Sequence, residues 1–282
     1  MKTLLVILAI ATLGYFGLCL WLYLRQSSLV YYPKRDIEAT PADYKLQYDE
    51  VTIRIKNGNT LTGWYIVADS ANETSGTILF AHGNGGNISH RLDLIAHWRS
   101  LAFNVFCFDY QGYGKSEGQP SEDATYADIR ACWEYLTTQC HTPPERIIVL
   151  GRSLGAAVAS HLVAELTEAG KPTPAGLIME APFTSIPDMG ARLYPFLPVR
   201  LLSRIVYDNR QHVAGIHIPT LIMHGSDDEL VPQSMGQEVF AVANEPKRFV
   251  SLAGGHEDTY IVDKVEYDSA LMTFALEVLP QD

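Results

Sequence analysis

From Thr3 to Leu24 the chain reads TLLVILAIATLGYFGLCLWLYL, an apolar stretch without a single charge. As a helix it would span about 33 Å, enough for a hydrocarbon core, and Tyr15, Trp21 and Tyr23 suit a membrane interface. A cleaved signal peptide is the rival reading. Its apolar core is usually shorter and ends in a small-x-small site, and none precedes Arg25. Residues 1–25 are therefore expected to form an uncleaved single-pass anchor, followed by a polar linker over 26–49. Lys2 on one side and Arg25, Lys34 and Arg35 on the other leave the side of the membrane open.

After the linker the periodicity changes. VTIRIK and LTGWYIV flank the turn signal NGN and predict a β-hairpin. Short apolar runs then alternate with helical patterns. Strands are expected at Thr77–Ala81, Asn104–Phe108, Arg146–Leu150, Gly176–Glu180, Thr220–His224 and Arg248–Leu252. Helices are expected near Ser89–Ser100, Glu122–Cys140, Leu154–Glu168, Gln233–Ala243 and Thr259–Leu279. This rhythm predicts an α/β fold: a mostly parallel central sheet with helices on both faces and an antiparallel hairpin at one edge. Pro182 to His217, with four prolines and several aromatics, breaks the rhythm and is expected to be a small cap insertion, 182–217, within a domain spanning 50–282.

Composition narrows the function classes. The 282 residues are 47% hydrophobic with a net charge of −11; such an acidic surface repels phosphate backbones and argues against a nucleic-acid partner. Four cysteines are too few for a disulfide scaffold. Cys132 and Cys140 would lie about 12 Å apart on a continuous helix, too far to bridge. No H-E-x-x-H or paired-cysteine zinc spacing occurs, so no metal is expected.

The chemistry concentrates at strand ends. IIVLGRSLGAA places Ser153 between Gly151 and Gly155 where a strand gives way to a helix, the G-x-S-x-G pattern of a nucleophile elbow. Three fixed positions match by chance roughly one time in ten at this length, so the pattern needs company. A serine hydroxyl needs a base, and the base an orienting carboxylate. TLIMHGSDDELVP offers Asp227 and Asp228 after one strand, and RFVSLAGGHED offers His256 after the next. Asp228 is preferred for its D-x-x-V-P context, leaving Asp227 as a solvated turn residue. Among nine histidines, His256 follows both serine and acid on a glycine-containing loop. The others fall in helices, in loops without chemical neighbours, or at strand ends, where His82 and His224 suit supporting roles. ILFAHGNGGN ends a strand in a glycine-rich loop, so the backbone amides of Asn84 and Leu154 are the candidate oxyanion donors.

Taken together, AHGNGGN, FDYQGYGKSEG, GRSLGAA, HGSDDELVP and GGHED resemble the α/β-hydrolase superfamily in order and approximate spacing, over roughly residues 50–280. SSLVYYP after an N-terminal anchor, HGNGGNISHR and DYQGYGKSEG resemble more narrowly the membrane-anchored bud-emergence type, related to protein depalmitoylases. The resemblance implies a serine hydrolase without a cofactor. It also implies that the DYQGYGKSEG loop lies near the site, where Tyr110 would either shape the substrate pocket or serve as structure. The expected activity is cleavage of an ester or thioester in a small molecule, lipid or acylated protein, through a Ser153–His256–Asp228 triad. A peptidase of the same fold and a non-catalytic, membrane-tethered binding protein are the alternatives.

Overall fold

The computed structural model describes residues 1–68 and 76–280; the last two residues of the expected 50–282 domain lie outside them. The apolar N-terminus is one helix, α1 (Lys2–Val30). It runs five residues past the expected anchor because no Gly or Pro interrupts Arg25 to Val30. Among the described residues it is the one helix long and apolar enough to cross a membrane. The stretch expected to be a linker is largely structured. It contains β1 (Tyr32–Pro33), a 3-10 turn over Pro41–Tyr44 held by a Thr40–Asp43 capping box, and the first residues of β2 (Tyr48–Arg54).

β2 pairs antiparallel with β3 (Thr60–Ile66). Then follow β4 (Thr77–Ala81), β5 (Gly85–Gly86), α2 (Leu92–Ser100), β6 (Asn104–Phe108), α3 (Glu122–Glu134), β7 (Ile147–Arg152), α4 (Leu154–Glu168) and β8 (Gly176–Glu180). The insertion folds as three short helices, α5 (Ile186–Leu193), α6 (Val199–Leu202) and α7 (Asn209–Ala214). β9 (Thr220–Gly225), α8 (Gln233–Val242), β10 (Lys247–Leu252), α9 (Thr259–Val262) and α10 (Lys264–Val278) complete the chain.

The main sheet runs β10-β9-β8-β7-β4-β6-β3-β2. It is parallel from β10 to β6 and antiparallel at β3 and β2. Strand alternation divides the core in two. Leu79, Phe106 and Val149 face the layer that holds Ile129 of α3 and the small residues of α4. Ile78, Val105 and Ile148 face the layer that holds Trp98 of α2 and Phe274 of α10. The central strands are buried on both faces, which is why they read as continuous apolar runs.

Two expected helices are interrupted. The one over 259–279 breaks at Asp263, whose carboxylate accepts the Ala253 amide at 2.8 Å and whose backbone leaves the helical region. The one over 122–140 widens into a π-turn at Tyr135–Gln139. There the hydroxyls of Thr137 and Thr138 bond back to Trp133 O and Glu134 O at 2.9 and 2.6 Å, loosening the regular ladder. All four cysteines are free.

Candidate active site

The carboxyl ends of β4, β7, β9 and β10 deliver the candidate residues to one rim of the sheet, where ligands of open α/β sheets bind. Ser153 sits between β7 and α4 with φ 55° and ψ −117°, a left-handed conformation that costs a β-substituted residue of order 1–3 kcal/mol. The turn leaves no room for neighbouring side chains. A Cβ on Gly151 would stand 2.1 Å from Gly155 O, and one on Gly155 would stand 1.9 Å from Ala81 O. The two glycines let α4 close against β4 and β7, and that closeness forces the serine into its strained turn.

Asp228 and His256 meet. His256 Nδ1 lies 2.7 Å from Asp228 Oδ2, while Oδ1 accepts the amides of Leu230 and Val231 at 3.0 and 2.8 Å. Burial alone would raise the Asp228 carboxyl, but hydrogen bonding to His224 and His256, the His256 charge and the Val231 amide hold it well below the usual carboxylate range. An ionised Asp228 only accepts, so His256 carries its hydrogen on Nδ1 and keeps a lone pair on Nε2. His224 Nε2 lies 2.8 Å from the Val231 carbonyl, to which it donates, and 3.5 Å from Asp228 Oδ2. Asp227 is exposed.

Ser153 and His256 are neighbours through Arg152. The Arg152 guanidinium donates to the His256 carbonyl at 2.8 Å, and also reaches Glu180 at 3.7 Å and Glu257 at 3.6 Å. Glu180 in turn accepts from the Tyr267 hydroxyl, which accepts from Trp98 Nε1 at 2.9 Å. The residue before the serine thus grips the loop that carries the imidazole. No hydrogen bond joins the Ser153 hydroxyl to His256 among the described residues. Such bonds often tighten only around a substrate.

The loop after β4 is pinned at several points. Asn84 O accepts from the Tyr32 amide at 3.0 Å and the Tyr113 hydroxyl at 2.7 Å, and its side-chain amide donates to Val30 O at 2.8 Å. β1 pairs with β5 beside it. The backbone N–H groups of Asn84 and Leu154 have no backbone acceptor among the described residues. Beneath the loop, burial and the Arg91 charge push His82 down to about 3, so it is neutral, with Nδ1 2.7 Å from Gly83 O.

Asn84, Ser153 and Leu154 line a cavity of about 280 Å³ whose other walls are mainly apolar. Tyr110 does not line it. It is fully buried and donates its hydroxyl to His82 O at 2.8 Å, so the pocket-shaping option gives way to the structural one: it supports the Asn84 loop from below. Sequence reasoning missed Arg152, and it missed that Leu22, Gln26, Leu29 and Val30 of α1 line the same cavity. The spacing of those four was the available signal, because it places them on one helical face.

Comparison with known proteins adds three findings. Residues 72–211 match the family model Hydrolase_4, described as serine aminopeptidase S33. An uncharacterised protein of Mycobacterium tuberculosis is 34% identical over 96% of this chain and 94% of its own. The α/β hydrolase domain-containing protein WAV2 of Arabidopsis thaliana is 33% identical over 91% and 89%, and protein bem46 of Schizosaccharomyces pombe is 31% identical over 81% and 78%. Among solved structures, an esterase of Pyrococcus furiosus superposes with a TM-score of 0.73 at 23% identity, over 89% of this chain and 99% of its own. An α/β hydrolase of Vibrio vulnificus superposes with a TM-score of 0.72 at 21% identity, over 93% of each. At such identities the likeness speaks to the fold.

Proposed function

The chain belongs to the α/β-hydrolase superfamily, and on that footing we propose that it is a membrane-anchored serine hydrolase of carboxylic esters or thioesters. Ser153 is the nucleophile, His256 the base and Asp228 the acid that orients it. The observation that carries this reading is the Asp228–His256 bond, which leaves Nε2 as a base on a loop gripped by the residue preceding Ser153.

His256 Nε2 takes the Ser153 proton as Oγ bonds to the substrate carbonyl carbon. The negative oxygen that develops is held by the amides of Asn84 and Leu154, and the positive end of α4 adds to that field. When the tetrahedral intermediate collapses, the C–O or C–S bond breaks and the leaving group takes the proton from His256. Water then repeats the sequence on the acyl-enzyme, releasing the acid and restoring Ser153. Ser153→Ala should abolish ester and thioester turnover and fluorophosphonate labelling while far-UV circular dichroism stays unchanged. Labelling that persists would reject Ser153 as nucleophile. An inert, unlabelled wild-type chain would instead favour the binding-protein alternative.

A peptidase reading has the description of the matching family model in its favour. An aminopeptidase must hold a free ammonium group, and none of the residues lining the cavity is acidic. Release of chromophore from amino-terminal peptide substrates at a rate matching ester turnover would revive it.

A further inference from the structure

Although α1 is exposed on most sides, one stripe of it belongs to the hydrolase body. Tyr15, Cys19, Leu22, Gln26 and Leu29 recur at spacings of four and three, the repeat of a single helical face. The Tyr15 hydroxyl donates to Phe196 O at 3.1 Å, and Cys19 is the buried residue of the helix. Gln26 donates to Leu202 O and accepts from the Arg204 amide, both at 2.7 Å. Arg204 also reaches Tyr23 O at 2.9 Å, and its guanidinium lies 4.5 Å from the centre of the Tyr23 ring. The cap insertion is thus fastened along about half the length of the helix. Between them lies the cavity. Leu22, Leu29 and Val30 of α1 line it together with Met189, Leu193 and Leu197 of the cap, and Ser153 belongs to the same lining.

These contacts fix a depth. If the uncharged stretch ends in the hydrocarbon edge at Leu24, Tyr15 lies up to about 14 Å below that edge. Phe196, tied to it, lies at the same level. Phe196 and Leu201 are 88% and 84% exposed, a costly arrangement in water and a favourable one in lipid. The Tyr15 hydroxyl also satisfies a Phe196 carbonyl that would be an orphan acceptor in hydrocarbon.

We propose that the cap is partly submerged in the bilayer, and that the cavity between it and α1 receives the long acyl chain of a bilayer-resident lipid ester, drawn sideways from the leaflet to Ser153. This rests on the hydrolase reading above. The cavity of about 280 Å³ has mainly apolar walls, and their continuity with the anchor spares the chain any passage through water. The acyl transfer is the one already described, with the alcohol portion of the lipid as the group that leaves with the proton.

The test uses the full chain reconstituted in phospholipid nanodiscs. Turnover of p-nitrophenyl esters from butyrate to palmitate should favour the long chains by at least tenfold in kcat/KM. Leu29→Trp and Leu193→Trp, one on α1 and one in the cap, should each cut the long-to-short ratio at least tenfold; Leu193 is partly exposed, so its replacement spares the fold. Independently of activity, Phe196→Trp should add fluorescence that phospholipids brominated on their acyl chains quench beyond the wild-type level. A flat chain-length profile with Ser153 still labelled overturns the acyl site and leaves the hydrolase reading standing. Absence of added quenching overturns entry from the leaflet. A Ser153 that no fluorophosphonate labels overturns both the inference and the reading beneath it.

Discussion

Asp228 accepts the amides of Leu230 and Val231 on one oxygen and the His256 ring on the other, with His224 Nε2 a longer 3.5 Å from that second oxygen. Asparagine copies its shape but has only one accepting oxygen. If that oxygen keeps the amides of Leu230 and Val231, the new NH2 faces the imidazole and selects the tautomer with no lone pair on Nε2. Asp228→Asn should therefore lower kcat on a short ester by roughly 10⁴-fold; a loss under tenfold would remove Asp228 from its proposed role. A second residue reports on stability. Burial, then the His161 charge, lowers His212 from 6.5 to about 4. The unfolded chain takes the proton first, so stability is whole above pH 6.5 and drains as pH falls toward 4. From pH 7 to 5 this costs about 2 kcal/mol. His212→Gln should shrink the loss of unfolding free energy between those two pH values by that amount, read from urea denaturation at each. Ser153, Asp228 and His256 stand out in the sequence as candidates because each follows a strand, in the order that a serine, an acid and a base would require. The place of Tyr110 was not visible, because a tyrosine in a glycine-rich loop reads the same whether its ring faces a pocket or the core.

The strand-to-helix turns carry most of the precision in this fold. α4 approaches β4 so closely that a methyl group at position 155 would overlap the Ala81 carbonyl. Gly155→Ala should destabilise the protein by about 3 kcal/mol, the upper end of overpacking costs, measured by chemical denaturation; a change below 0.5 kcal/mol would show that α4 can shift freely. The strands over 77–81, 104–108 and 176–180 coincide with their apolar runs, since burial on both faces leaves an unmistakable pattern. The helix interruptions at Asp263 and Tyr135 left no such trace. Each comes from a side chain bonding to backbone, in the first case to a loop ten residues away. A window of local periodicity does not register a contact of that kind.

As a whole molecule the chain joins an acidic domain to a long apolar helix, and the two meet along a seam rather than a hinge. The intact protein is expected to stay with membranes after extraction at alkaline pH, and removal of residues 2–24 to release it; release of the full-length chain would favour a cleaved or peripheral N-terminus. The sequence announced the helix and the insertion separately. Their union was not legible, because Tyr15 and Phe196, or Gln26 and Leu202, are more than 170 residues apart and nothing in either segment names the other. Leu22, Gln26 and Leu29 of that five-position face, with Val30 beside them, line the cavity at Ser153, and they form the last turns of α1 itself. A protease that clipped the chain beyond Val30 would therefore not liberate a smaller working copy. The shed form would be missing one side of the cavity at Ser153, so on the proposed reading location and selectivity are inherited as one trait.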